Sequence, residues 1–346
     1  MDTKNPNKSF RSTPEYAEYQ RENFWQSNEG KVPPFNTDPT KLEELAKERL
    51  SEGGWYYASS NAGYSTTHLA NIWGHKTSAP IGFSPIGINK IYHKDGELPV
   101  TKVAKELNLP YCLSTAGSQP IEDVGKANGE GTRFFQLYMP HDDELTISLL
   151  QRAVDSGFTA CILTVDTWQL GWRHDDVANS NYAFYHGTGA DLGLSDPVFK
   201  KRLAADGIDP ATMPNEAGAK WIDNVWHGRA HTREKIPWLI KTWKQLSGAL
   251  GSELYIMYDS GVRGASDVFK ALALGAQFVF VGRLWVWGLS IMGDHGVRHV
   301  MKSLLADFDI LLNVAGYQNV QQIIGNRDAM ESYEKSYTLL QERAKL

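Results

Sequence analysis

Short, nearly continuous apolar runs alternate with longer amphipathic ones along most of this chain. Six of the short runs read as buried strands: Ala79 to Ile86, Pro110 to Ser114, Arg133 to Tyr138, Ala160 to Val165, Leu254 to Tyr258 and Phe278 to Val281. Continuous rather than alternating apolarity is what a parallel sheet covered on both faces requires. Helical spacing fills the intervals over Lys41 to Leu50, Val100 to Leu107, Ile121 to Lys126, Glu144 to Ser156 and Ser266 to Leu274. Gly53-Gly54 ends the first of these and Gly275 the last, in the position of a glycine C-cap. Residues 12–58 look helical in patches, broken at Pro33-Pro34 and Pro39. The alternation predicts βα units around a parallel sheet. It fails from Gly171 to Trp243, a long Trp- and Gly-containing stretch that reads as an inserted loop, and a loop of that length in a compact domain is usually functional. The expected fold is α/β, a TIM (β/α)8-type barrel with an N-terminal helical segment. Only six strands are countable where closure takes eight. The expected units are residues 1–75, a helical segment and substrate-side loop, 76–330, the barrel, and 331–346, a helical tail.

Composition narrows the function classes. A 42% apolar share in 346 residues is ample for a core, and 11 tryptophans favour aromatic-lined surfaces. The net charge of −5, without a basic cluster, argues against a nucleic-acid partner. No apolar run approaches membrane-spanning length, and Met1 to Arg11 lacks the apolar centre of a secretory signal. The two cysteines, Cys112 and Cys161, both lie in strand-like runs and read as reduced core residues, so no disulfide framework or cysteine metal site is expected. The chain ends Arg343-Ala-Lys-Leu346, which is either an ordinary helix end or a peroxisomal address of the Ser-Lys-Leu type. A cytoplasmic or peroxisomal location is therefore expected.

The chemistry concentrates after the last two strands. Leu254 to Tyr258 runs into Asp259-Ser-Gly-Val-Arg-Gly264, and Phe278 to Val281 into Gly282-Arg283. Each βα unit thus carries a glycine and an arginine at the carboxyl end of its strand. Glycine lets backbone amides approach an anion and arginine supplies a fork of donors, a pairing that suits phosphate. Barrels place such a site after strands seven and eight.

With the strands placed, several blocks match one family. Ala79-Pro-Ile-Gly-Phe-Ser-Pro-Ile-Gly87, Phe135-Gln-Leu-Tyr138, Leu163-Thr-Val-Asp-Thr167, Asp259-Ser-Gly-Val-Arg263, Lys270-Ala-Leu-Ala-Leu-Gly-Ala276 and Val281-Gly-Arg283 resemble the FMN-dependent α-hydroxy-acid oxidases and dehydrogenases. Trp168 to Arg173, Asp196-Pro-Val-Phe-Lys-Lys201 and Trp226-His-Gly228 resemble the lactate 2-monooxygenase branch. The resemblance implies FMN at the carboxyl ends of the strands. It implies a wall of Pro85, Ile86 and Gly87 beside the flavin ring, and ring partners Ser114, Gln136 and Thr164. Asp259, Gly261, Arg263, Gly282 and Arg283 would lie against the phosphate. Tyr138 would act in catalysis, and Tyr56 and Arg173 would bind the substrate, a small 2-hydroxy acid such as lactate, with O2 as oxidant. Resident metal is not implied; a homo-oligomer, tetrameric in the family, is. Bottom-up chemistry agrees at Gln136, since an amide in an apolar strand is costly unless paired, and at Arg173, whose fork suits a carboxylate.

The chain also departs from the family. The family's Lys in a Val-x-Lys-Gly-type strand and its Ser-Asn-His-Gly-Gly-Arg motif, which holds the proton-abstracting His, have no counterpart. Trp238-Leu-Ile-Lys-Thr-Trp243 passes directly into Lys244 to Gly251, as if roughly 45 residues, about one and a half βα units, were absent. A shorter gap falls between Asn71 and Ile72. His186, His227 and His231 lie in the insertion, and His227 reads as inherited structure rather than a replacement base. A barrel missing two strands would expose two unpaired edges. The expected function is an FMN-dependent 2-hydroxy-acid oxidoreductase with little turnover; the alternative is a catalytically dead, FMN-binding form that associates with a full-length relative. Another phosphate-binding barrel fits the Phe135-to-Tyr138 and Leu163-to-Thr167 blocks poorly.

Overall fold

The computed structural model describes residues 19–26, 29–54, 68–70, 75–248, 255–317 and 319–330. Tyr56, the residues flanking the proposed gap at 71–72, and the 331–346 tail lie outside these residues.

Seven strands form one sheet: β1 (His68–Ala70), β2 (Ile81–Phe83), β3 (Tyr111–Ser114), β4 (Arg133–Leu137), β5 (Ala160–Leu163), β6 (Met257–Asp259) and β7 (Phe278–Val281). Their order is β1-β6-β7-β2-β3-β4-β5. The six strands from β6 to β5 are parallel, and all six are those expected from the apolar runs. The result is a curled half-barrel with helices on its convex face. Neither β5 nor β6 pairs with the other, so the sheet stays open. One expectation is corrected here. The β6 edge is covered, because β1 runs antiparallel along it with His68 opposite Asp259, so the sheet's two outer strands are β1 and β5. The β5 edge has no further strand among the described residues, and Val165 just beyond it is 65% exposed.

The Gly171–Trp243 stretch is a second correction, because it is helical rather than a loop. After α1 (Tyr19–Gln26), α2 (Pro39–Arg49), α3 (Leu98–Glu106), α4 (Ile121–Asn128) and α5 (Asp143–Asp155) come α6 (His174–Ala178), α7 (Asp191–Leu194), α8 (Pro197–Ala205), α9 (Pro214–Val225) and α10 (Lys235–Ser247). Helix α9 buries Ala217, Gly218, Trp221, Ile222 and Val225, one face at helical spacing. Three of the tryptophans that make the stretch look irregular are core, since Trp221, Trp226 and Trp243 are buried, while Trp172 is exposed. Asp196 caps α8 by accepting from Val198 N (2.9 Å) and Phe199 N (3.1 Å), with Pro197 in the first turn. The same buried carboxylate meets Arg152 of α5 at 3.0 Å, and Arg152 also reaches Glu122 at 2.7 Å. This network ties the inserted helices to the sheet's own α5. Two helices follow β6 and β7, α11 (Ala265–Ala273) and α12 (Arg283–Val314), the latter breaking at Met292–Gly293 and packing on α2 and α3.

Strand parity divides the core. Ile81, Phe83, Leu113, Phe135, Leu137, Val279 and Val281 belong to the large core shared with the helices. Cys112, Phe134, Ala160, Met257 and Phe280 form a separate small cluster on the concave face. Along the concave face of five strands the residue two further on is Ser84 (after Gly82), Ser114, Gln136, Asp259 or Gly282, while β5 continues from Ala160 through Ile162 to Thr164. The concave side is therefore apolar at its base and polar at the carboxyl ends of the strands, the end where barrels carry their sites.

Candidate functional site

A cleft of about 320 Å³ opens at those carboxyl ends, a size within the range of small-molecule sites. It brings together eleven of the residues named from sequence: Pro85, Ile86, Gly87, Ser114, Tyr138, Arg173, Asp259, Gly261, Arg263, Gly282 and Arg283. Gln136 lies buried just behind the cleft, and Thr164 lines the adjoining pocket.

The arginine-bearing half is built by β6, β7 and the helices they feed. Ser84 Oγ donates to Asp259 Oδ1 at 2.8 Å, joining the ends of β2 and β6. Ser260 (φ +99°) and Gly261 (φ +71°) are both left-handed. That conformation is strained for serine, and strain of this kind gathers at functional sites. The turn leads to Arg263, whose backbone N–H is fixed by the Asp267 carboxylate at 2.9 Å at the start of α11. Its guanidinium lies 5.3 Å over the Trp287 ring. Gly282 and Arg283 open α12, so the positive end of that helix also faces the cleft. Burial holds both guanidinium groups below the usual arginine range. Arg283 repels Arg263 further, and Arg173 opposes the attraction that Glu43, Tyr92 and Asp259 exert on Arg283. Three guanidinium groups around one small cleft, with glycine backbone between them, fit a dianionic phosphate.

The other half is a wall and a polar floor. Ile88 N donates to Ala116 O at 2.9 Å, clamping the Pro85–Gly87 turn onto the loop after β3. A Cβ at Gly87 would stand 2.8 Å from Ala116 Cβ and 2.9 Å from Ala116 O, so only glycine permits this approach. Ser114 Oγ donates to Gln136 Oε1 (2.9 Å) and Gln136 Nε2 to Thr164 Oγ1 (2.8 Å), a chain of polar groups across β3, β4 and the end of β5. A flat apolar wall opposite amide and hydroxyl groups suits the face and edge of a planar heterocycle such as a flavin ring. On the far side, the Tyr138 ring meets Trp226 edge-on at 5.4 Å, and Trp226 meets Phe184 at the same distance. Arg173 stands at the start of α6, its Nη1 3.5 Å from the buried Asp176.

Ser84, Tyr92, Ser260 and Trp226 also line the cleft and were not singled out from sequence. Ser84 was within reach, since it shares strand parity with Gly82; Trp226 belongs to the Trp226-His-Gly228 block, but its place against Tyr138 comes from the inserted helices. Among the described lining residues none is a histidine or lysine.

A family model described as FMN-dependent dehydrogenase matches residues 63–247 and 244–331. The two matched stretches join where α10 ends. An FMN-dependent alpha-hydroxy acid dehydrogenase of Penicillium citrinum is 34% identical over 375 aligned positions, covering 88% of this chain and 92% of the relative. That alignment is longer than the chain, so the relative carries residues without a counterpart here. An L-lactate oxidase of Lysinibacillus sphaericus is 29% identical, covering 83% of this chain and 91% of its own length. Among solved structures, the monotopic membrane protein (S)-mandelate dehydrogenase aligns with a TM-score of 0.66 at 20% identity, over 84% of this chain and 98% of that one, a likeness of fold. No described helix of the present chain is long and apolar enough to cross a membrane.

Proposed function

The chain belongs to the FMN-dependent dehydrogenase family, and from that premise we propose that it holds FMN in this cleft and takes a small 2-hydroxy carboxylate beside it, with slow turnover. FMN, when bound, supplies the two-electron acceptor for oxidation of the hydroxy acid and passes the electrons to O2. The chain's residues divide the remaining work. Arg263, Arg283 and the Gly261 and Gly282 backbone hold the phosphate. Pro85, Ile86 and Gly87 wall the ring, with Ser114, Gln136 and Thr164 at its polar edge. Arg173 clamps the substrate carboxylate and Tyr138 offers its hydroxyl to the substrate oxygen. The inserted helices, through Trp226 and Phe184, hold Tyr138 and screen the site from water. The observation that carries this reading is the meeting of three arginines and the glycine-flanked strand ends in one cleft.

Slow turnover follows from the lining. The described lining offers no histidine or lysine to take the proton from the substrate hydroxyl, and a positioned base contributes ~10²–10⁴ in rate. A silent FMN-binding form that associates with a full-length relative is the second reading, favoured by the bare β5 edge beside exposed Val165. A homo-oligomer and a cytoplasmic or peroxisomal location belong to the same proposal. The test is anaerobic mixing of the purified chain with L-lactate while the flavin absorbance is followed. Bound flavin that bleaches far more slowly than ~1 per second is expected. Failure to bind FMN overturns the cofactor assignment, and bleaching at ~1–10³ per second overturns the slow turnover.

A further inference from the structure

Beside the cleft, and sharing Tyr138 with it, a second pocket of about 260 Å³ is lined by Thr164, Val165, Trp168, His227 and His231. It lies beyond the β5 edge, where the barrel is open. His141 joins the two histidines from the loop between β4 and α5. The three rings are packed together, with centroids 4.1 Å (His141–His227), 4.2 Å (His141–His231) and 5.3 Å (His227–His231) apart. Their ligand nitrogens all lie within 4.8 Å of one another. We propose that His141, His227 and His231 form a binding site for a divalent transition-metal ion of the zinc type.

The backbone prepares these rings for that task. Gly228 (φ +74°) turns the chain, and its N–H is anchored on Trp168 O at 2.8 Å, so His227 and His231 return to one point. Their Nε2 atoms both approach Met139 O, at 3.3 and 2.6 Å, and His141 Nε2 lies 3.2 Å from Arg229 O. A carbonyl oxygen only accepts. Where Nε2 donates to its carbonyl, Nδ1 is left as the lone-pair nitrogen that can take a metal. This is the arrangement in which a backbone carbonyl orients a metal-bound imidazole from behind. Two of the Nδ1 lone pairs have no partner to give up among the bonds described, while His227 Nδ1 gives up only a long contact, 3.3 Å, from Arg229 N.

A tetrahedral ion at ~2.0–2.1 Å from each nitrogen needs nitrogens about 3.3 Å apart, so the cluster must contract. His141 is exposed and can swing to close it. Three imidazoles leave a fourth position open, the pattern of exchangeable rather than purely structural zinc. Imidazole selects zinc, cobalt, nickel or copper over magnesium and calcium. Arg229 and Lys235 add unfavourable charge nearby, and Asp143 offsets part of it through its ion pair with Lys235. Affinity in the micromolar range, rather than that of a structural zinc finger, is the expected consequence.

The test uses the untagged, chelator-stripped full chain. Calorimetric titration with Zn2+ is expected to show one equivalent bound, with Mg2+ silent, and Co2+ to give the intense visible bands of a tetrahedral ion. His141→Gln, His227→Gln and His231→Gln should each weaken Zn2+ binding at least tenfold, while exposed His186→Gln leaves it unchanged. His141→Gln alters an exposed side chain, so its circular dichroism and flavin content should match the parent and separate ligand loss from misfolding. Absence of saturable Zn2+ binding, or binding that survives all three substitutions, overturns the proposal.

Discussion

Replacing Arg283 with methionine keeps the long stem and removes the charge. The cleft concentrates Arg173, Arg263 and Arg283, and the fold holds Arg283 there at a cost, since burial and Arg173 both disfavour its charged form. Glu43, Tyr92 and Asp259 offset part of that cost, and a bound anion offsets more. Losing one hydrogen bond to a charged group removes ~1.5–3 kcal/mol, which at about 1.4 kcal/mol per decade weakens FMN binding about ten- to a hundredfold. The free protein should behave differently. Arg283→Met without FMN loses the repulsion from Arg173 and Arg263 together with the attraction of Glu43, Tyr92 and Asp259, so it should melt close to the parent. With FMN present, its stabilisation should be smaller by about 1.4 kcal/mol per decade of lost affinity. Fluorescence titration with FMN and thermal melts with and without it give the two halves. An unchanged FMN affinity, or a lowered melting temperature in the absence of FMN, would refute the reasoning and make Arg283 a structural residue. Arg263→Met is a poorer probe because it also removes the contact with Trp287.

Three further outcomes are expected. Gln136→Leu removes the acceptor of the buried Ser114 hydroxyl and the donor to the Thr164 hydroxyl, so urea denaturation should show a loss of ~1–3 kcal/mol together with weaker FMN binding; an unchanged midpoint would contradict the network. Gly87→Ala drives a Cβ against the Ala116 carbonyl, and overpacking there should cost ~1–3 kcal/mol, again read by denaturation. Glu97 is fully buried, accepts from Ser118 N (2.7 Å), Ser118 Oγ (3.0 Å) and Asn89 N (3.3 Å), and has its carboxyl raised by burial despite these donors. A raised folded value means stability that is present below the ordinary carboxyl range and lost as pH rises through the folded value. Glu97→Gln keeps an oxygen for both amides and should match the parent near pH ~4, then exceed it increasingly toward neutral pH; parallel stability curves would exclude this.

Much of the site was legible because its signals are local. The two-residue period of a strand puts Ser114 above Cys112 and Gln136 above Phe134, so a polar residue at the carboxyl end of an apolar run points into the concavity. Glycine followed by arginine at a strand end needs no partner from elsewhere to be recognised as anion chemistry. The inserted helices were missed for an opposite reason. Gly171 to Trp243 contains short helices separated by turns, too brief for periodicity to stand out, and its tryptophans look like loop aromatics until α9 is seen burying Trp221 against Phe199. Strand β1 was missed because a three-residue strand has no pattern of its own. The spacing of His227 and His231 was visible, but without a third ligand it meant little.

The sequence by itself determined which segments become strands and that a glycine and an arginine follow each of the last two, because these depend on neighbours within a few positions. Tertiary structure alone decided that β1 covers one edge while β5 stays bare, since pairing is a choice among distant segments. It alone set Trp226 against Tyr138, and brought His231 to the carbonyl of Met139, 92 positions away. Those contacts come from burying the apolar faces of inserted helices and satisfying backbone groups around them, and such long-range packing leaves no period in the chain from which it could be read.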